Sequence, residues 1–112
     1  MYNFKDACTR NEYPETEQDI LIQSVEEFQI LMWQGEILLN RLSDIDFSKK
    51  VMEAAQANEQ DKVNELIQTI EGMFVPTDIT YTPSGVIFKL ESPAVSKGAN
   101  CCTLNMTLKW GK

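Results

Sequence analysis

Histidine is absent from the 112 residues. Its absence removes every catalytic triad or dyad built on imidazole, and most zinc and iron sites with it. Neither a Walker-type phosphate loop nor a G-x-G-x-x-G turn occurs. No stretch approaches the roughly 18 consecutive apolar residues of a membrane span. Residues 1–10 contain Asp6 and no apolar run, so nothing there resembles a secretory leader. The expectation is synthesis in the cytoplasm without export, and the Asn105-Met106-Thr107 sequon is then a chance match. Basic residues are also short: 10 Lys and Arg stand against 17 Asp and Glu, a net charge of −7. Phosphate backbones would be repelled, which argues against nucleic acid as a partner. The imbalance is uneven. Residues 1–72 hold 15 acids and 6 bases, whereas residues 73–112 hold 2 acids and 4 bases.

The chain does have enough apolar residues (43%) for a packed core, and its length suits one domain. Carboxylate neighbours such as Glu26-Glu27 read as a solvated helix face. With no convergent polar set, the expectation is no enzyme, no cofactor and no metal. Function then rests on burial and cross-linking.

Residues 1–17 have no period and read as an N-terminal arm. Residues 18–112 read as a single α+β domain, helical over 18–72 and an antiparallel sheet over 73–112. A long helix is predicted over Asp19–Leu42, capped by Thr16. At 100° per residue, Ile20, Leu21, Val25, Phe28, Leu31, Met32, Leu38, Leu39 and Leu42 share an arc of about 140°. This is the expected core face. Ile22, Ile30, Trp33 and Ile37 form a second apolar stripe on the far side. Helices 2 and 3 with the sheet can cover both stripes; alternatively a second subunit covers the far one. Gly35, in the centre of the main stripe, predicts a close helix crossing.

A second helix is expected over 46–57 and a third from an Asn58 cap to about Glu71, with Gly72 just past its end. These two form an αα-hairpin. From Val75 the period becomes two. Thr77, Ile79 and Tyr81 share one face, then Val86, Phe88 and Leu90 after a Thr82-Pro83-Ser84-Gly85 turn in which Gly85 takes a positive φ. In the last strand Cys102, Leu104, Met106, Leu108 and Trp110 face the core, and Cys101 points away. The architecture is a three-helix unit packed on a three-stranded antiparallel sheet.

Three cysteines, two of them adjacent, fit no structural zinc pattern. Cys101 and Cys102 read as neighbours on a strand, with Cα atoms about 3.8 Å apart, shorter than most disulfides span, and diverging side chains; a bond between them would distort the strand, so none is expected. Cys102 reads as a small buried residue, leaving Cys8 and Cys101 as candidates for inter-subunit cross-links.

Several segments resemble a known family: Met52-Glu53-Ala54-Ala55-Gln56, Val63 to Ile67, Tyr81-Thr82-Pro83-Ser84-Gly85, and Cys101-Cys102-Thr103-Leu104 with Leu108-Lys109-Trp110. About half of the chain is similar to the YuzC-like inner spore-coat proteins of Bacillus-type endospore formers. The resemblance implies a structural spore protein with no enzymatic activity or ligand site, made in the sporulating cell and oxidised later. Two functions follow. One is a self-assembling coat component, a homo-oligomer with other coat proteins as further partners, using Ile22, Ile30, Trp33 and Ile37 noncovalently and Cys8 and Cys101 covalently. The other is a small cytosolic adaptor whose arm acts as a displaceable lid. Neither needs nucleic acid or a membrane.

Overall fold

The computed structural model describes residues 16–92 and 101–111. Three helices, α1 (Thr16–Leu42), α2 (Ile45–Gln56) and α3 (Gln60–Gln68), precede three strands, β1 (Thr77–Thr82), β2 (Gly85–Glu91) and β3 (Thr103–Lys109). The sheet order is β1-β2-β3 and both pairings are antiparallel. The α+β expectation holds, with helices covering one face of the sheet. Thr16 lies within α1 rather than capping it.

The period-two reading fixes the sheet. Ile79 faces Phe88, which faces Met106; Tyr81, Val86 and Leu108 form the next row, and Thr77, Leu90 and Leu104 the one beyond. Phe88 and Leu90, on the central strand, are fully buried. The intervening Asp78, Thr80, Lys89, Asn105 and Thr107 are exposed. At the hairpin, Ser84 N–H and Gly85 N–H both donate to Thr82 Oγ1. Gly85 does not take a positive φ. It is needed because β3 passes closely: an added Cβ would stand 2.7 Å from the Leu108 carbonyl oxygen.

Asp44 caps α2, accepting from Asp46 N–H (2.9 Å) and Phe47 N–H. Asn58 does not cap α3, which starts from Glu59 without a side-chain cap. It takes φ +59° instead and ends α2. Asn58 N–H donates to the Ala55 carbonyl and Glu59 N–H to the Ala54 carbonyl, the Schellman pattern. Asparagine tolerates this left-handed geometry better than most residues. α3 closes at Thr69, earlier than expected, and Gly72 at φ +92° turns the chain toward β1. Phe47, Val51, Ala54 and Ala55 from α2 join Val63, Ile67 and Ile70 in the core with Leu31 and Leu38 of α1. Fully burying a leucine of this kind contributes about 1.5–3 kcal/mol.

Gln34 joins the layers. It is fully buried, yet polar. Its Nε2 donates to the Gly72 carbonyl (2.8 Å), and its Oε1 accepts from Phe74 N–H (2.7 Å) and Val75 N–H (3.3 Å). The segment leading into β1 is thereby fastened to α1. The neighbouring Gly35 meets β3, not another helix as the sequence suggested: a Cβ there would stand 3.0 Å from Leu104 Cδ2 and 3.5 Å from Met106 Sδ.

Gln34→Leu keeps the volume but strands one carbonyl and two N–H groups. It should lower unfolding free energy by at least about 2 kcal/mol in urea titration, since each buried unpaired group costs about 1–3 kcal/mol; an unchanged midpoint would refute the bracket. The N–H groups of Phe47 and Asp46 hold the Asp44 carboxyl below its ordinary value of 3.8. Its stabilising contribution is therefore complete above that value and lost as pH falls through the lowered one. Asp44→Asn keeps a cap acceptor without a proton to gain, so its Tm should fall less than the wild type's between about pH 5 and pH 2. Equal losses in the two proteins would count against Asp44 as a titrating cap.

Candidate functional site: the outward face of the long helix and the cysteine corner

The buried arc of α1 is not the one with most apolar residues. Leu31, Gln34, Gly35 and Leu38 are buried, with Phe28, Ile30, Ile37 and Leu42 packed partly against the core. On the helical wheel this arc is centred between the two stripes read from the sequence, near Gln34. It takes some residues from each. The expectation that Ile20, Leu21, Val25, Met32 and Leu39 face the core is therefore overturned: all five are exposed. For Leu21, Val25, Met32 and Leu39 the reason is the Gln34 bracket, which rotates a polar residue to the middle of the buried side; Ile20 lies on the buried side but precedes the first contact of α1 with Cys102.

Of the second stripe, Ile30 and Ile37 are half-buried against the core, while Ile22 and Trp33 are exposed. The Trp33 ring lies 5.9 Å from that of Phe74, itself exposed, at 58°. Leu21, Ile22, Val25, Met32, Trp33 and Leu39 thus share one outward face of α1. Sequence reasoning placed Ile22 and Trp33 there and missed the other four. The signal available was Gly35, whose lack of a side chain marks the line of closest approach.

α1 has 27 residues, so it is about 40 Å long, against about 23 Å for a seven-residue strand. It runs along β3 in the same sense, from Ser24 beside Cys102 to Gly35 beside Leu104 and Met106. Ile20, Leu21 and Ile22 precede the first of these contacts and are each more than half exposed.

Where α1 first meets the sheet lie the paired cysteines. Cys101 and Cys102 form a disulfide (S–S 2.04 Å), with Cα atoms 3.8 Å apart. The expectation of no bond between them is overturned. Its premise was that both residues belong to a regular strand; β3 begins at Thr103, and the ladder ends at the Glu91–Thr103 pair, so the bond lies outside it. Cys102 is buried and Cys101 exposed, as the alternation predicts. Cys102 Sγ stands 3.4 Å from the Ser24 carbonyl oxygen. A disulfide sulfur carries no proton, so this is a contact rather than a hydrogen bond. Nearby, the buried Ser92 donates to Glu27 Oε1 at 2.6 Å and its N–H to the Cys102 carbonyl. A shallow cleft of about 500 Å³ opens beside the disulfide, walled by Ser24, Val25, Phe28, Gln29 and Thr103. Cys8 lies outside the described residues.

Among the described residues no cluster of three acidic or cysteine side chains is placed to hold a metal ion. No described helix is long and apolar enough to cross a membrane. Residues 18–103 match the family model of the YuzC spore coat inner layer protein. The chain belongs to the YuzC spore coat inner layer family. The matched span runs from the first turns of α1 through the disulfide to the start of β3, so the outward face and the cysteine corner both lie within the part common to YuzC proteins. Membership in YuzC supports a place in the spore coat. Comparison with curated proteins and with solved structures found no match.

The fragment released by trypsin between Lys97 and Lys109 contains Cys101 and Cys102. Without reductant it should be lighter by two hydrogen atoms and take no alkylating reagent; after reduction it should take two labels. Labelling of both cysteines in unreduced, denatured protein would rule out the bond.

Proposed function

We propose that the protein is a non-enzymatic structural component of the spore coat that self-associates through the outward face of α1 and is cross-linked through Cys101 and Cys8. One observation carries this reading. Of the ten large hydrophobic side chains exposed among the described residues, seven lie on α1: Ile20, Leu21, Ile22, Val25, Met32, Trp33 and Leu39. That many exposed apolar side chains on one helix are costly in water, and layers of many copies offer a means of covering them. Each such side chain, fully buried, would contribute about 1.5–3 kcal/mol before the cost of association is met. Family membership supports the coat setting, with other coat proteins as further partners.

Val25 and Met32 are exposed, so Val25→Glu with Met32→Glu should leave the circular dichroism spectrum and Tm close to wild type. Sedimentation across a concentration series should then give an associating wild type and a monomeric variant. A wild type that stays monomeric throughout would defeat the assembly reading; the adaptor role would then be the one to pursue, by seeking a single bound protein.

A further inference from the structure

We propose that two copies of the chain join edge to edge through β3, about a two-fold axis that carries the antiparallel sheet from one copy into the other. This deepens the assembly reading. It rests on that reading for self-association and names the strand, beside the outward flank of α1, that a second copy meets.

The ladder leaves this edge open. Ser92 N–H donates to the Cys102 carbonyl and Trp110 N–H to the Ser84 carbonyl, so the even-numbered residues of β3 bond to β2. Thr103, Asn105, Thr107 and Lys109 turn their N–H and C=O groups the other way, where none has a partner among the described residues. An unpaired strand edge is a template for another strand, and proteins commonly guard it with charge, proline or a bulge. From Thr103 to Leu108 there is no charge and no proline, and the register with β2 is unbroken. On the inward face Leu104, Met106 and Leu108 are only half-buried, whereas Phe88 and Leu90 of β2 are fully buried. The opposite edge differs: β1 bears Asp78 and is walled by Gln60 and Asn64 of α3.

A second β3 is the complement of this edge. A two-fold axis at Met106 sets Thr103 against Lys109 of the other copy and Asn105 against Thr107, so every outward N–H and C=O along the strand is paired. Directly opposite residues share a face in such a ladder. Met106 then meets Met106, and Leu104 meets Leu108, on the inward side, which covers the half-buried row. The charges also match. Lys109 of each copy arrives beside Thr103, whose neighbour on β2 is Glu91, on the same outer face.

The same axis brings the long helices together. α1 runs along β3 in one sense, so the two-fold makes the two α1 helices antiparallel. Gly35 marks the side of α1 turned to β3, and Leu39 and Met32 lie about 40° and 60° farther round. The cleft walled by Val25, Phe28 and Thr103 opens on this side. Met32 and Leu39 stand three residues before and four after Gly35, so Met32 of one copy comes toward Leu39 of the other. Both are exposed in the single chain. Strand edge and apolar flank are thus covered by one partner in one operation.

The test is amide hydrogen exchange of the full-length protein, read by NMR across a concentration series beside sedimentation. In dilute protein the amides of Leu104, Met106 and Leu108 should exchange slowly and those of Asn105 and Thr107 fast. As copies associate, Asn105 and Thr107 should slow by at least about tenfold. Asn105 and Thr107 are exposed, so Asn105→Glu with Thr107→Glu should keep the wild-type circular dichroism spectrum. It sets like charges opposite one another across the joint and should abolish the dimer. Mixing it with Thr107→Lys, which supplies the opposite charge, should restore a dimer of one copy of each. An associated wild type whose Asn105 and Thr107 amides stay fast would overturn the proposal and keep self-association. Protection of those amides only after another coat protein is added would overturn it in favour of a foreign strand. A monomer at every concentration would overturn the proposal and the assembly reading together. Protection that persists in Val25→Glu with Met32→Glu would uphold the β3 joint and remove the α1 face from assembly.

Discussion

The side-chain amide of Gln34 is the constraint on which the arrangement depends. It satisfies one carbonyl and two N–H groups of the segment between Gly72 and Val75, all at the seam between the helical layer and the sheet. A polar network that is buried and fully paired fixes a single geometry, because any rotation of α1 would leave several groups unpaired in a medium that penalises them. The next residue, Gly35, lets Leu104 and Met106 of β3 come against the helix backbone. Together the two residues determine which side of α1 faces inward.

The outward surface follows from that orientation. Once Gln34 occupies the centre of the buried arc, the apolar residues 60–180° away from Ser24 on the wheel have nothing beneath them. Leu21, Val25, Met32 and Leu39 are left in water alongside Ile22 and Trp33. The helix also extends past its first contact with the sheet, leaving Ile20 uncovered although it lies on the inward arc. The disulfide sits where that uncovered portion meets the body of the fold. The exposed apolar side chains of α1 and the exposed Cys101 are therefore neighbours.

Much of the fold was legible in the sequence. Strict alternation from Thr77 to Leu90 and from Cys102 to Trp110 placed every inward side chain of the sheet, since a one-residue slip would invert a whole strand. The three helices and their hairpin were equally readable from apolar spacing. The orientation of α1 was not, because counting apolar residues assigns a glutamine to the polar side, and Gln34 is buried for its hydrogen bonds to residues some forty positions away. Asn58 was misread for a related reason: its type suits both a helix start and a left-handed helix end, and only the backbone decides. The Cys101–Cys102 bond escaped because the alternation continues smoothly through residues that precede the regular strand.

The central claim is that α1 buries Gln34 and leaves its apolar flank bare until another copy covers it. Paramagnetic relaxation by a soluble gadolinium agent reads this directly, residue by residue, in NMR spectra of the full-length protein. In dilute solution the methyl groups of Leu21, Val25, Met32 and Leu39 should relax strongly, while those of Leu31 and Leu38 and the Gln34 side-chain amide stay shielded. At higher concentration the first set should become shielded as well. A Gln34 amide relaxing as fast as that of the exposed Gln29, with Leu21 and Met32 shielded in the dilute protein, would contradict the account.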